Sequence, residues 1–359
     1  MTTAIPGRSD TELLSARLWD AVHEGDEYAA TDVVLPAVDA GLDAESALLD
    51  VIAPVQARVG AEWAANRISV AEEHTATAIN DRVVAALAHD AAVPRPRRGE
   101  GRVTVACVDG EWHALPARLL AETLRLRGWH VDFLGAHVPV THLIDHLHRT
   151  GSDDLALSAS IAARLPAAHA TITASHAVGV SIMVGGAAFG PDGGYADRLG
   201  ADAWAPDART AAARLEEILA RPYVPPPVHE PVDDLPHLAD QEYTLVTRSA
   251  PRLVAAVLTA LEERFPAMAS YSERQRQCIA EGVAYITEFL GAALYLDDSA
   301  LFTRFVTWAG DILTARGVPA YSVTLALDLL AEQLKDFPRA VALLRDGDAA
   351  LQAVGSDRP

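Results

Sequence analysis

Apolar positions in the first ninety or so residues recur at helical spacing. In "DTELLSARLWDAVHEGD", Leu13, Leu14, Leu18 and Val22 fall on one face. The following apolar run predicts a helix that ends near Gly41. Another helix begins around Asp43, an N-cap followed three residues later by Ser46. Ser69-Val70-Ala71-Glu72 has the form of a capping box, in which Ser69 accepts from the third helical N–H and Glu72 reaches back. Trp63 therefore lies at the end of one helix, with Val70, Glu73 and His74 in the first turn of the next. A four-helix bundle over 10–92 is expected.

From residue 102 the period changes. "RVTVACV", "HVDFLG", "LALSAS" and "SIMVGG" are short apolar runs of strand type. They alternate with the helical stretches "ARLLAETLRLRG", "THLIDHLHRTG", "AAHATITASHAVG" and "ARTAAARLEEIL". This alternation predicts a doubly wound, Rossmann-like parallel sheet over 102–220. Ligands of such sheets bind beyond the C-terminal ends of the strands. Residues 221–240 form a Pro-rich, extended linker. Residues 241–350 carry no strand pattern and predict an all-α domain of about five helices. Ser249 and Pro251 are expected to open one of these helices, and Asp298 to cap another that stops at Gly317. The fold class is thus multidomain, α and α/β.

Composition narrows the chemistry. Half of the 359 residues are hydrophobic and 22% are charged, enough for packed cores. Net charge is −20, from 29 Lys and Arg against 49 Asp and Glu, which argues against a nucleic-acid partner. The one dense basic run, "PRPRRGEGR" at 94–102, is interrupted by Pro and Gly and reads as a linker. No apolar run reaches the ~18 residues of a membrane span, and no signal-peptide pattern opens the chain. Cys107 and Cys278 make neither a disulfide framework nor a zinc pattern, and a cytoplasmic protein is expected. The sequence offers no Ser/His/Asp triad, phosphate loop or paired-carboxylate site, so no enzymatic activity is expected.

The strongest chemical signal is "DGEWHALP", at the tip of the first strand. A loop His there is free to coordinate a metal. Glu111, two residues before His113, can take the other ring N–H, fixing the tautomer and raising ligand basicity. Ser158 and Ser160 end the third strand. Gly185 and Gly186 end the fourth, where backbone can approach a ligand closely. A receiver-like or NAD domain with an incidental loop His gives the same strand pattern, although no G-x-G-x-x-G follows the first strand.

This set resembles the cobalamin-binding domain whose motif reads Asp/Glu-x-His-x-x-Gly, then Ser-x-Leu, then Gly-Gly. Between Pro116 and Ser158 lie 41 residues, the family's spacing; between Ser160 and Gly185 lie 24, slightly short. Pro116 stands for the usual Gly and Ser160 for the usual Leu. The resemblance implies that His113 is the lower ligand of cobalt. It also implies that the cofactor's nucleotide tail enters beside Ser158, Ser160 and Gly185-Gly186.

"EWAANRISVAEEH" extends the resemblance to the CarH-type cobalamin photoreceptors, whose bundle carries Trp, nine residues, then Glu-His. Trp63 and Glu73-His74 reproduce that spacing. The resemblance implies that they enclose the adenosyl group of adenosylcobalamin. An ordinary helix end with a buried Trp reads the same stretch without chemistry. In those receptors a His follows the Trp and takes the cobalt after light breaks the Co–C bond; here the position is Ala64. They also carry a DNA-binding domain before the bundle. Only about ten residues precede the first helix here, so direct DNA binding is not expected.

The C-terminal segment "FLGAALYLDDSALFTRFVTWAGDILTARGVP" looks like a globin-like sensory domain. Joined to a cobalamin photoreceptor it resembles the photocobilins, which implies biliverdin as a second chromophore. Tyr271, Tyr285, Phe289, Phe305 and Trp308 offer aromatic walls, and Arg274, Arg276 and Arg304 offer cations for its propionates. The same aromatics at helical spacing also suit a plain core. The expected protein is a light sensor with cobalamin and bilin chromophores, an unidentified downstream protein partner, no membrane, and scope for a homo-oligomer. The alternatives are a corrinoid methyl carrier serving a methyltransferase, and a light-independent cobalamin-sensing interaction module.

Overall fold

The computed structural model describes residues 8–90, 93, 101–152, 154–219 and 235–356. The chain divides into two compact units, Met1–Val228 and His229–Pro359. Residues 94–100 of the basic run and 221–234 of the expected linker lie outside the described residues.

The first unit opens with α1 (Arg8–Glu24) and α2 (Glu27–Asp39). The third helix begins as a short turn, Ala44–Ser46, where the Asp43 carboxylate accepts the Ser46 N–H at 3.0 Å. It then widens over Ala47–Ile52, where the Ala53 N–H donates to the Leu48 carbonyl five residues back, and continues as α3 (Ala53–Ala64). Pro54 has no N–H for the Asp50 carbonyl; Ser15 Oγ on α1 donates there instead, at 3.3 Å. α4 (Val70–His89) carries the expected capping box, with Ser69 N–H donating to Glu72 at 2.6 Å and Glu72 N–H to Ser69 Oγ at 3.2 Å. Leu18, Val22, Val34, Leu48, Ile52, Val59 and Val83 fill the bundle core. Leu13 does not join them. It lies a helical step off the Leu14–Leu18–Val22 line, faces solvent, and Trp19 packs inside in its place.

Five parallel strands follow: β1 (Arg102–Cys107), β2 (His130–Gly135), β3 (Asp154–Ser158), β4 (Ser181–Gly185) and β5 (Ala203–Ala205). Their order is β2-β1-β3-β4-β5. The expected four strands are all present. β5 was not expected, because three residues are too few to show a period. Cys107 pairs with Ser158, and Ser158 with Gly185, so three strand tips end in line. The strand order reverses direction between β1 and β3, which opens a crevice at those tips.

The intervening helices are α5 (Leu115–Leu126), α6 (Val140–Thr150), α7 (Leu165–Ala177), α8 (Gly194–Arg198) and α9 (Ala208–Leu219). Pro116 sits in the first turn of α5, where its missing N–H has no consequence. α5 is shared by two cores. Ala117, Ala121 and Leu124 pack on the sheet, while Leu115 and Leu119 belong to the core of the bundle.

Charged residues clamp the same seam. Arg127 donates to both oxygens of Glu45 at 3.0 Å, and Arg209 reaches Glu45 at 3.2 Å and Asp50 at 3.0 Å. The Arg127 hydrogen bond, opposed by burial and supported by Arg209, holds the Glu45 carboxyl below its usual 4.5. A carboxyl lowered by folding stabilises the native state above its unfolded pKa and loses that contribution as pH falls through the folded value.

The second unit contains α10 (Glu242–Arg264), α11 (Glu273–Leu296), α12 (Ser299–Ala315), α13 (Tyr321–Gln333) and α14 (Pro338–Ser356). Within the expected linker range, Pro236–Asp240 forms a single tight turn. Asp298 caps α12 as expected, accepting from Ala300 and Leu301. The expected helix start at Ser249-Pro251 is not found: α10 runs through Pro251 unbroken. Val246, Leu253, Val257 and Leu261 are buried along its length, and this packing outweighs the one lost hydrogen bond. α11 is long and apolar enough to cross a membrane by length and composition, but 67% of its apolar window is buried inside the protein, as in a core helix.

Replacing Glu45 with Gln should lower the stability of the first unit by about 1 kcal/mol at neutral pH. The difference from the parent should shrink in acid, below the ordinary carboxylate range. Urea unfolding followed at neutral and acidic pH measures both.

Candidate functional site

The site is built at the tip of β1. Glu111 is fully buried there. One of its oxygens accepts the His113 backbone N–H at 2.9 Å and contacts His113 Nδ1 at 2.6 Å. The other accepts the backbone N–H groups of Ser160 at 2.7 Å and Ile161 at 3.1 Å. One carboxylate thus ties the loop after β1 to the loop after β3. Burial opposes its charge. The hydrogen bonds from the His113 ring, the His113 backbone and the Ser160 backbone outweigh burial and hold Glu111 at about 2. It is therefore an acceptor at any physiological pH.

The hydrogen bond to Glu111 raises the His113 pKa against the effect of burial, and the charge of Glu73 adds to it. Because Glu111 engages Nδ1, Nε2 is the nitrogen left for a metal, on a side chain that is 56% exposed. Glu73 stands at the start of α4, so its influence on His113 brings the bundle and the strand tips together at one place.

Other expected residues take distinct positions. Trp63 is half-buried against the bundle core. His74 is largely exposed, and its Nδ1 bonds the Glu73 carboxylate. Val70 is exposed at the first turn of α4. Ser158 is nearly buried at the β3 tip. Ser160 contributes its backbone N–H to Glu111, a contact that does not depend on which side chain stands there.

The Gly-Gly pair has an internal reason as well. Gly186 has φ +100, and a Cβ there would lie 2.2 Å from the Ala159 carbonyl oxygen. A Cβ on Gly185 would lie 3.1 Å from the Ala205 carbonyl oxygen. These glycines let the tips of β3, β4 and β5 close on one another, so their close approach is to backbone.

Sequence reasoning missed His137 and Trp112. His137, at φ +50, donates its N–H to the Glu111 carbonyl at 2.8 Å, and its Nδ1 accepts from Gly110 N–H at 2.9 Å. Its ring stacks on exposed Trp112 at 4.8 Å. The loop after β2 thereby buttresses the His113 loop. No sequence signal links two residues 25 apart in this way. Cys107 beneath the loop is inert: burial, with Glu111 nearby, pushes its thiol up to about 12.

In the second unit the expected aromatics separate. Phe289 and Phe305 stack at 3.7 Å, with Trp308 tilted on Phe305 at 6.0 Å. Trp308 and Arg304 line an open surface depression with Thr303, Thr307, Asp311 and Ala350, and Tyr285 is exposed. Tyr271 joins another group, edge-on to Phe265. Arg274 lies fifteen residues before Phe289 on α11, ~22 Å along the axis. Arg276 bonds the Tyr271 carbonyl and Glu273. Cys278 is half-buried on α11. The expected bilin residues are thus spread over the turn before α11, α11 itself and α12.

Comparison with known proteins bears on the first unit. Residues 14–88 match a family model described as B12 binding domain, and residues 101–216 match a second model of the same description. The two parts of the first unit are thus B12 binding domains, and the chain is a cobalamin-binding protein. Over 124 residues it is 28% identical to dimethylamine corrinoid protein 1 of Methanosarcina acetivorans, covering 33% of this chain and 57% of that protein. Over 165 residues it is 30% identical to the HTH-type transcriptional repressor CarA of Myxococcus xanthus, covering 45% of this chain and 53% of the repressor. The chain thus spans little more than half the length of these two relatives. The structure of the Methanosarcina barkeri monomethylamine corrinoid protein has a TM-score of 0.52 at 19% identity, covering 58% of this chain and 99% of that one, a likeness of fold.

The residues present fit a corrinoid. An imidazole with one nitrogen held by a buried carboxylate and the other left for a metal is a donor that would suit the cobalt of such a cofactor. Glu111→Gln should lower cobalamin affinity by about 10–100-fold, because one acceptor oxygen is replaced by a donor facing N–H groups. Equilibrium titration of the chain with hydroxocobalamin, followed by absorbance, measures it.

Proposed function

We propose that the chain is a light sensor that holds adenosylcobalamin between the bundle and the sheet. The observation that carries this reading is the 2.6 Å contact that holds His113 Nδ1 on buried Glu111 at the strand tip, in the same unit as the helix ends that present Trp63 and Glu73. When bound, the cofactor supplies a cobalt–carbon bond that light can break. The chain's own residues do the rest. Glu111 keeps the His113 tautomer. Trp63 offers a flat apolar face, and Glu73 offers an acceptor for hydroxyl groups. α5 carries any change at the seam into both cores, since it contributes to each. Ala64 leaves the position after Trp63 without a metal-binding side chain, so His74 or water would be the candidates to hold the metal once the adenosyl group has left.

The proposal extends to a globin-like second unit that binds biliverdin at the surface depression lined by Arg304 and Trp308, with exposed Tyr285 as a further aromatic candidate. This half rests on the sequence resemblance and on that aromatic and cationic face. Neither B12 family match reaches beyond residue 216. The second reading, a corrinoid methyl carrier acting with a methyltransferase, is favoured by the similarity to the dimethylamine corrinoid protein. The similarity to CarA runs over a longer stretch and takes in more of this chain. A light-independent cobalamin-sensing module is the remaining reading.

Absorption spectra with adenosylcobalamin and biliverdin, separately and together, before and after green and red light, distinguish these. A light-driven loss of the adenosylcobalamin spectrum supports the sensor. Preferential binding of methylcobalamin, or a dark-stable response, favours the alternatives. Trp63→Ala should reduce the preference for adenosylcobalamin over methylcobalamin, and an unchanged preference removes the lid role.

A further inference from the structure

Four polar side chains run in single file into the bundle. Thr77 Oγ1 donates to Glu73 Oε1 at 2.9 Å. Gln56 Nε2 donates to Thr77 Oγ1 at 2.8 Å. Asn80 Nδ2 donates to Gln56 Oε1 at 2.8 Å. Glu73, Thr77 and Asn80 lie on one stripe of α4 by their i,i+4 and i,i+3 spacing, and Gln56 reaches across from α3. Asn80 is completely buried in an otherwise apolar layer with Ile79, Val83 and Val84.

Every bond in this chain points the same way, toward Glu73. Its direction leaves the buried Asn80 Oδ1 without a partner among the described residues. Turning both amides over would let Gln56 donate to that oxygen. Thr77 would then have to donate to Gln56, and Glu73 would lose its donor. The arrangement thus leaves a buried carbonyl unsatisfied while keeping the Glu73 carboxylate held. At the outer end, the other Glu73 oxygen bonds His74 Nδ1, and the carboxylate acts electrostatically on His113 across the seam. Successive hydrogen bonds polarise one another, so the file favours one orientation of Glu73.

We propose that Gln56, Thr77 and Asn80 are positioning residues that fix Glu73 as an acceptor for a hydroxyl-bearing upper ligand, and so set selectivity for such a ligand over a methyl group. This rests on the adenosylcobalamin reading above. A free glutamate in a first helical turn would sample several rotamers, whereas one held by Thr77 meets the ligand in place. The methyl group has no hydroxyl to offer, so its binding is indifferent to the file.

The test uses the full chain and two probes, adenosylcobalamin and methylcobalamin, with the melting temperature of the cofactor-free protein as a control. Thr77→Val keeps the shape and removes the hydroxyl. It should lower adenosylcobalamin affinity about tenfold and leave methylcobalamin affinity unchanged, and Thr77→Ser should restore the preference. Should Thr77→Val fail to fold, Gln56→Met cuts the file one link further in and carries the same expectation. Equal losses for both probes, or no loss for either, overturn the proposal. Glu73→Gln separates the two levels. If it reduces the preference while Thr77→Val does not, the file is overturned and the adenosylcobalamin reading stands. If Glu73→Gln leaves the preference unchanged, the reading fails and the proposal with it.

Discussion

The buried carboxylate of Glu111 is the constraint on which the first unit's site depends. A charge without solvent is tolerable only when its oxygens are satisfied, and Glu111 is satisfied by N–H groups from two different loops. Those loops follow β1 and β3, the strands that flank the reversal in the sheet. The interaction that stabilises the charge therefore also closes the crevice into a defined shape and holds His113 at its rim. The same carboxylate fixes the His113 tautomer, so folding and metal readiness are a single event at this point.

The second dependency is the seam between bundle and sheet. α5 starts two residues after His113 and places Leu115 and Leu119 in one core and Ala117, Ala121 and Leu124 in the other. A displacement of the His113 loop is then felt in both. Arg127 and Arg209 hold the far side of this seam through Glu45 and Asp50. Such charge pairs in partly screened surroundings are modest in energy.

Much of the site was legible in the sequence because its parts are local. Glu111 and His113 are two residues apart, and the capping box fixes where Glu73 stands from four consecutive residues. The strands announced themselves by length and composition. What was missed lies far apart along the chain: His137 under Trp112, Gln56 beside Thr77, Arg209 beside Glu45. Pro251 misled because a local helix-breaking preference was overruled by burial along α10. Among the expected bilin residues, helical rise spreads Arg274, Tyr285 and Phe289 along α11 and packing joins Phe289 to Phe305, an arrangement that residue type alone does not encode.

By itself the sequence determined the order of bundle, parallel sheet and helical unit, the placing of His113 and Glu111 at a strand tip, and the helix start that presents Glu73. These follow from periodicity, capping and short-range spacing, which act within a few residues. Only the tertiary structure decided that Glu111 is buried and shared between two loops, that Gly186 answers to the Ala159 carbonyl, and that Glu73 is held from inside the bundle. Each of those depends on groups brought together by packing across tens of residues, and no local pattern encodes such a meeting.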